Sequence, residues 1–84
     1  MNFIFSNHAL QELQRRGLQQ NMVESVLNNP QQIIEEKEGR KAYQSQVDFG
    51  GGKIYLVRVI VADNIDPAVV ITAYRTSKIT KYWI

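Results

Sequence analysis

Eighty-four residues make one small domain, 1–84, and leave no room for a second. With no cysteine and one histidine, the chain cannot hold a disulfide framework, a thiol nucleophile or a multi-histidine zinc site of its own. A net charge of +2 and a pI of about 9.1 permit a nucleic-acid partner without requiring one.

The apolar start at 1–5 is broken at once by Ser6, Asn7 and His8, unlike a secretory leader. No run approaches the ~20 apolar residues of a membrane span. The longest, 57–62, carries Arg58 inside it. The expectation is a cytoplasmic protein with no membrane partner.

Residues 2–5 form a short apolar stub that suits a first strand. Ser6 is an N-cap for a helix over 7–16, with Ala9, Leu10 and Leu13 as its apolar stripe. Arg15 and Arg16 fall in its last turn, where cations suit the helix dipole. Gly17 can take the left-handed conformation just past the end. A second helix is predicted from Asn21, with Glu24 completing a capping box. Met22, Val23, Val26 and Leu27 form its buried face, and Asn29–Pro30 ends it.

Strand patterns follow. Residues 33–36 suit a short strand and 38–40 a turn. Residues 41–49 alternate, with Gly50, Gly51 and Gly52 as a hairpin tip. Residues 53–62 are a long β-branched strand, 63–67 a turn by composition, and 68–75 the last strand. Residues 76–84 are short and basic and end in Tyr82, Trp83 and Ile84. The predicted class is α+β. An N-terminal helical hairpin packs on one face of a mostly antiparallel sheet of about four strands.

Alternate strand residues share a face. The apolar parities are Tyr43, Val47 and Phe49; Tyr55, Val57, Val59 and Val61; and Val69, Ile71 and Ala73. These are assigned to the helix side. The opposite parity then gathers Gln44, Gln46, Arg58, Thr72 and Tyr74 among Ile54, Leu56, Ile60 and Val70. Such a mixed face suits a shallow site or an interface.

Each polar residue there has a structural and a functional reading. Arg58 either lays its stem over apolar neighbours, pairs with Asp48 on the adjacent strand, or clamps an anion with its planar guanidinium. Thr72 is a good strand former or a hydrogen-bond donor. Tyr74 is an amphipathic cover or a phosphate contact. Arg75 marks the strand's exit to solvent or binds substrate. His8 is a surface helix residue or, as a neutral imidazole, a general base. Glu35–Glu36–Lys37 matches an acid-x-lysine string of metal nucleases, but no aspartate precedes it on a strand. No metal ligand set and no cofactor is expected.

Phe5–Ser6–Asn7–His8–Ala9, the step Arg16–Gly17–Leu18, Asn29–Pro30 and Thr72–Ala73–Tyr74–Arg75 occur in an order that resembles a family of small prokaryotic domains of unknown function. That family is similar in outline to RelE/ParE and BrnT type toxins and to the barnase-like nuclease fold. The resemblance implies two helices on an antiparallel sheet and metal-independent RNA cleavage, although many RelE/ParE-like proteins are not nucleases. One departure stands out: Glu12 occupies a position where relatives often carry arginine.

Two functions follow, beside a third, a purely structural homo-oligomer. The first is a toxin-type endoribonuclease acting through the ribose 2′-OH. His8 is its base or acid, Arg58 with Arg75 or Arg40 holds the phosphate, and Tyr74 or Thr72 donates a hydrogen bond or stacks on a base. The second is a non-catalytic RelE/ParE-like module that binds RNA or a protein partner, such as a cognate antitoxin or a second copy. Glu12 favours the second. The cations Arg58, Arg75, Lys78 and Lys81 cluster late in the chain, so RNA binding depends on whether folding gathers them.

Overall fold

The computed structural model describes residues 2–84; Met1, the first residue of the apolar start, lies outside them. The order is β1 (Phe3–Phe5), α1 (Asn7–Arg16), α2 (Gln20–Asn28), β2 (Gln32–Glu35), a 3-10 turn (Lys37–Gly39), β3 (Arg40–Asp48), β4 (Ile54–Ala62), β5 (Ala68–Thr76) and α3 (Ile79–Tyr82). The class is α+β. The sheet has five strands in the order β1-β5-β4-β3-β2, where about four were predicted. It is mixed: β1 runs parallel to β5, and the other neighbours are antiparallel. Three residues sufficed for β1 because its amides find partners on the outer edge of β5.

The first helix forms as its caps dictate. Ser6 Oγ accepts from the Ala9 N–H at 3.0 Å. Gly17 sits at φ 67°, and the Leu18 N–H reaches back to the Leu13 carbonyl at 2.9 Å. The second helix departs from expectation. It starts at Gln20 behind Gln19, which makes no side-chain cap. Glu24 takes a bond from the Gln20 amide instead of closing a box with Asn21.

Both helices cover one face of the sheet. Ala9, Leu13, Leu18, Val23, Val26 and Leu27 pack with Tyr43, Val57, Val59, Val61, Ala68, Val70 and Ala73 in one buried cluster. Phe3, Phe5, Val47 and Phe49 flank it. The expected parity held for β3 and β4.

It failed in the first half of β5. Ile60 pairs with Thr72, but the next residue, Val61, pairs with Val70. Ile71 is left over as a β-bulge, and the parity of everything before it reverses. Ala68 and Val70 therefore face the helices, while Val69 and Ile71 are only half-buried. An apolar run of Val69, Val70 and Ile71 carries no sign of where a bulge falls.

Residues 76–84 also differ from their bland prediction. Ile79–Tyr82 form one turn of helix, and the chain beyond it lies against the sheet face opposite α1 and α2. No helix among the described residues is long and apolar enough to cross a membrane.

Candidate functional site

The register of the sheet puts four polar residues in one row. Gln32 on β2 stands opposite Gln44 on β3, Gln44 opposite Arg58 on β4, and Arg58 opposite Tyr74 on β5. All four lie on the face away from the helices' core, because each is one residue out of step with the buried cluster.

They are joined by hydrogen bonds. Arg58 Nε donates to Gln44 Oε1 at 2.8 Å, and Nη1 donates to Tyr74 Oη at 2.7 Å. Gln44 Nε2 donates to Gln32 Oε1 at 2.9 Å. Arg58 Nη2 reaches Glu36 Oε2 at 3.3 Å. Arg58 is only 3% exposed and Gln44 is fully buried. Burial of an arginine demands this degree of satisfaction, and among the described residues no buried side-chain nitrogen or oxygen lacks a partner. The ion partner is Glu36, and the expected alternative, Asp48, is excluded. Asp48 pairs with Ile54 at the hairpin end and accepts from the Gly50 N–H at 2.7 Å.

Tyr74 sits between two arginines. The Arg58 guanidinium carbon is 5.9 Å from its ring centroid, and that of Arg16 is 6.0 Å away. Burial pushes the Tyr74 hydroxyl above its ordinary pKa, and the bond from Arg58 opposes this only in part. Tyr74 therefore stays protonated at neutral pH. Tyr82 lies over Arg58, with its ring centroid 4.2 Å from the guanidinium carbon, and meets Tyr74 edge to face. The Lys81 ammonium beside Tyr82 draws that hydroxyl below its ordinary value.

Arg16 was not among the predicted site residues. Sequence placed it in a helix's last turn and in the step Arg16–Gly17–Leu18. It reaches the edge of β5 past the end of β1, where Nη1 donates to the Ala73 carbonyl at 2.7 Å and to Thr72 Oγ1 at 3.3 Å. Glu12, one turn earlier, holds it by an ion pair at 2.9 Å. The signal was present in the spacing: positions 12 and 16 share a helix face. What the face meets was not.

A family model described as "Domain of unknown function (DUF4258)" matches residues 5–75. The chain belongs to that family. No curated protein and no solved structure matches it. The matched stretch of this DUF4258 domain contains the whole polar row and Arg16, and stops short of α3.

Three of the six predicted site residues meet on one face and three do not. Arg58, Tyr74 and Thr72 come together on one face, with Arg16 beside them. Arg75 does not join them. It stands opposite Val57 on the helix-side parity, and its guanidinium carbon lies 4.6 Å from the ring centroids of both Phe49 and Tyr55. Arg40 borders an open depression of about 700 Å³ next to Tyr74, together with Glu35, Glu36, Glu38, Lys37 and Ile60. Three carboxylates line that depression against two cations. His8 is exposed on α1. No hydrogen bond, ion pair or ring contact of the described residues joins it to Arg58 or Tyr74. No group of three or more metal-ligating side chains forms among the described residues.

Proposed function

We propose that this domain is a non-catalytic binding module for single-stranded RNA, of RelE/ParE-like build, with the Arg58–Tyr74 face as its contact site. One observation carries the reading: arginines and lysines lie on aromatic rings. Four such pairs lie at this face, Arg16 and Arg58 on the Tyr74 ring and Arg58 and Lys81 on the Tyr82 ring. Single strands are bound through these parts, with bases stacked on rings and guanidinium planes and phosphates held by cations. Arg16, Thr72 and Tyr74 offer the donors for one phosphate.

Catalysis lacks support at one step. Cleavage through the 2′-OH needs a base, and among the described residues no hydrogen bond, ion pair or ring contact joins the predicted base, the exposed His8, to Arg58 or Tyr74. The ribonuclease reading keeps one favourable contact: the 2.7 Å bond between Arg58 and Tyr74, which would serve as phosphate clamp and acid.

Fluorescence anisotropy with a labelled single-stranded RNA in excess chelator tests both. Binding is expected, with a log–log salt slope of about −1.4 to −2.1 for two or three phosphate contacts. Tyr74→Phe should weaken it several-fold, and the RNA should stay intact. A protein that leaves the anisotropy unmoved at low salt has no RNA site. Cutting that Tyr74→Phe abolishes would restore the nuclease reading.

A further inference from the structure

Residues 78–84 cover the polar row. Tyr82 lies over Arg58 at 4.2 Å, and its carbonyl accepts from Gln44 Nε2 at 3.2 Å. The Gln32 amide grips the backbone of Ile84 on both sides: Nε2 donates to the carbonyl, and Oε1 accepts from the N–H at 3.3 Å. Tyr74, the fourth member, meets the Tyr82 ring at 6.5 Å. No member of the row is without a contact to this segment. The cover is what lets Gln44 and Arg58 be buried on a face that α1 and α2 do not reach.

The cover itself is lightly built. Its helix is four residues long, has no side-chain cap and buries no residue. It also lies outside the matched family stretch, which ends at residue 75. Short, shallowly packed segments open at far lower free energy than a central strand. The ring of Tyr82 holds the place over the guanidinium where a nucleobase would stack.

We propose that residues 78–84 are a strap that closes the Arg58 row and opens while the sheet stays folded, so that a ligand reaches Arg58 only when the strap has swung away. The nature of that ligand rests on the RNA reading above. A site that is open a tenth of the time or less binds about tenfold or more weakly than the open site.

Tyr82→Ala removes the ring over Arg58, and Gln32→Ala releases Ile84; neither touches the helix-side core. The first readout needs no RNA. In the full chain, amides of 78–84 should exchange by local opening, faster than those of β4. Phenylglyoxal should modify Arg58 about tenfold or more faster in either variant, with β4 amides still protected. The second readout is anisotropy of labelled single-stranded RNA, which should bind either variant about tenfold tighter. Saturating RNA should also shift the emission of Trp83, the single tryptophan, as the strap leaves. Strap amides that exchange only together with β4 overturn the proposal. So does unchanged Arg58 reactivity in both variants, or RNA that binds wild type and variants equally. Faster Arg58 modification with no RNA bound by any form supports the strap and sinks the RNA reading alone.

Discussion

Glu12 Oε1 lies 2.9 Å from Arg16 Nη2, and the same guanidinium donates to the Ala73 carbonyl at 2.7 Å. Glu12 is thus the residue that aims Arg16 at β5. Its effect on the site is to fix a cation beside Tyr74. Glu12 also pairs with Arg15 at 2.8 Å, so two cations converge on one carboxylate.

Glu12→Gln should release Arg16 from this clamp and lower the melting temperature slightly. Glu12→Arg should lower it further, because three cations would then crowd one helix face. Thermal unfolding of the two variants at low salt checks the order. Added salt should narrow the gap between them, since these charges are near the surface.

The pH dependence has two edges. The hydrogen bond from Arg15, with the charges of Arg15 and Arg16, holds the Glu12 carboxyl below the ordinary carboxylate value. A depressed acid contributes stability above its unfolded pKa and loses it as pH falls through the folded one. Tyr74 and Tyr43 are pushed up, chiefly by burial. Their contribution is present below the unfolded value and is lost as pH rises toward the folded one. Tyr82, drawn down by Lys81, runs the other way and offsets part of that loss. Stability should be flat between about pH 5 and pH 9.5 and fall outside that range. Urea midpoints across pH test the window, and ultraviolet titration of the phenols should show two tyrosines ionising late.

Arg58→Ala should cost about 2–4 kcal/mol, because it opens a cavity and strands the Gln44 and Tyr74 acceptors. Arg58→Met fills much of the same volume and should cost about half as much. Glu36→Gln keeps an acceptor for Arg58 Nη2 but leaves the buried guanidinium without its counter-ion, so it should cost about 1–2 kcal/mol, moderated by the partial exposure of Glu36. The measurement is the urea midpoint at constant slope. Equal losses for the two Arg58 variants would show that the guanidinium network, and not volume, sets the cost.

The bulge at Ile71 makes its own prediction. Val70 is fully buried against the helices and Ile71 is not. Val70→Ala should cost about 2 kcal/mol and Ile71→Ala under about 1 kcal/mol. Uninterrupted alternation through β5 would give the reverse order, so the pair of unfolding curves reads the register directly.

The chain by itself determined the local elements and most of the core. Ser6 and Gly17 bound the first helix because cap geometry depends on neighbours three or four residues away. The alternation in β3 and β4 selected the helix face because strand parity is a property of consecutive residues. It also placed Arg58, Thr72 and Tyr74 on one side of the sheet. Tertiary structure alone decided what those residues meet. Arg58 chose Glu36 over Asp48 because cross-strand register, set by a hairpin and a bulge, fixes which side chains are neighbours. Arg75 is the exception: strand parity, already in the sequence, puts it on the other face because it directly follows Tyr74 in β5. Arg16 came to the site from a helix, and Tyr82 from the last few residues, through contacts 56 and 38 positions apart in the chain that no local pattern encodes. Of the late cations, the fold brings Arg58 and Lys81 to the Tyr82 ring and sends Arg75 elsewhere. Arg58 is neutralised by Glu36, and Arg75 stands apart on its aromatic pair. The residues that make the site were therefore legible one by one, and their assembly was not, because assembly depends on long-range packing.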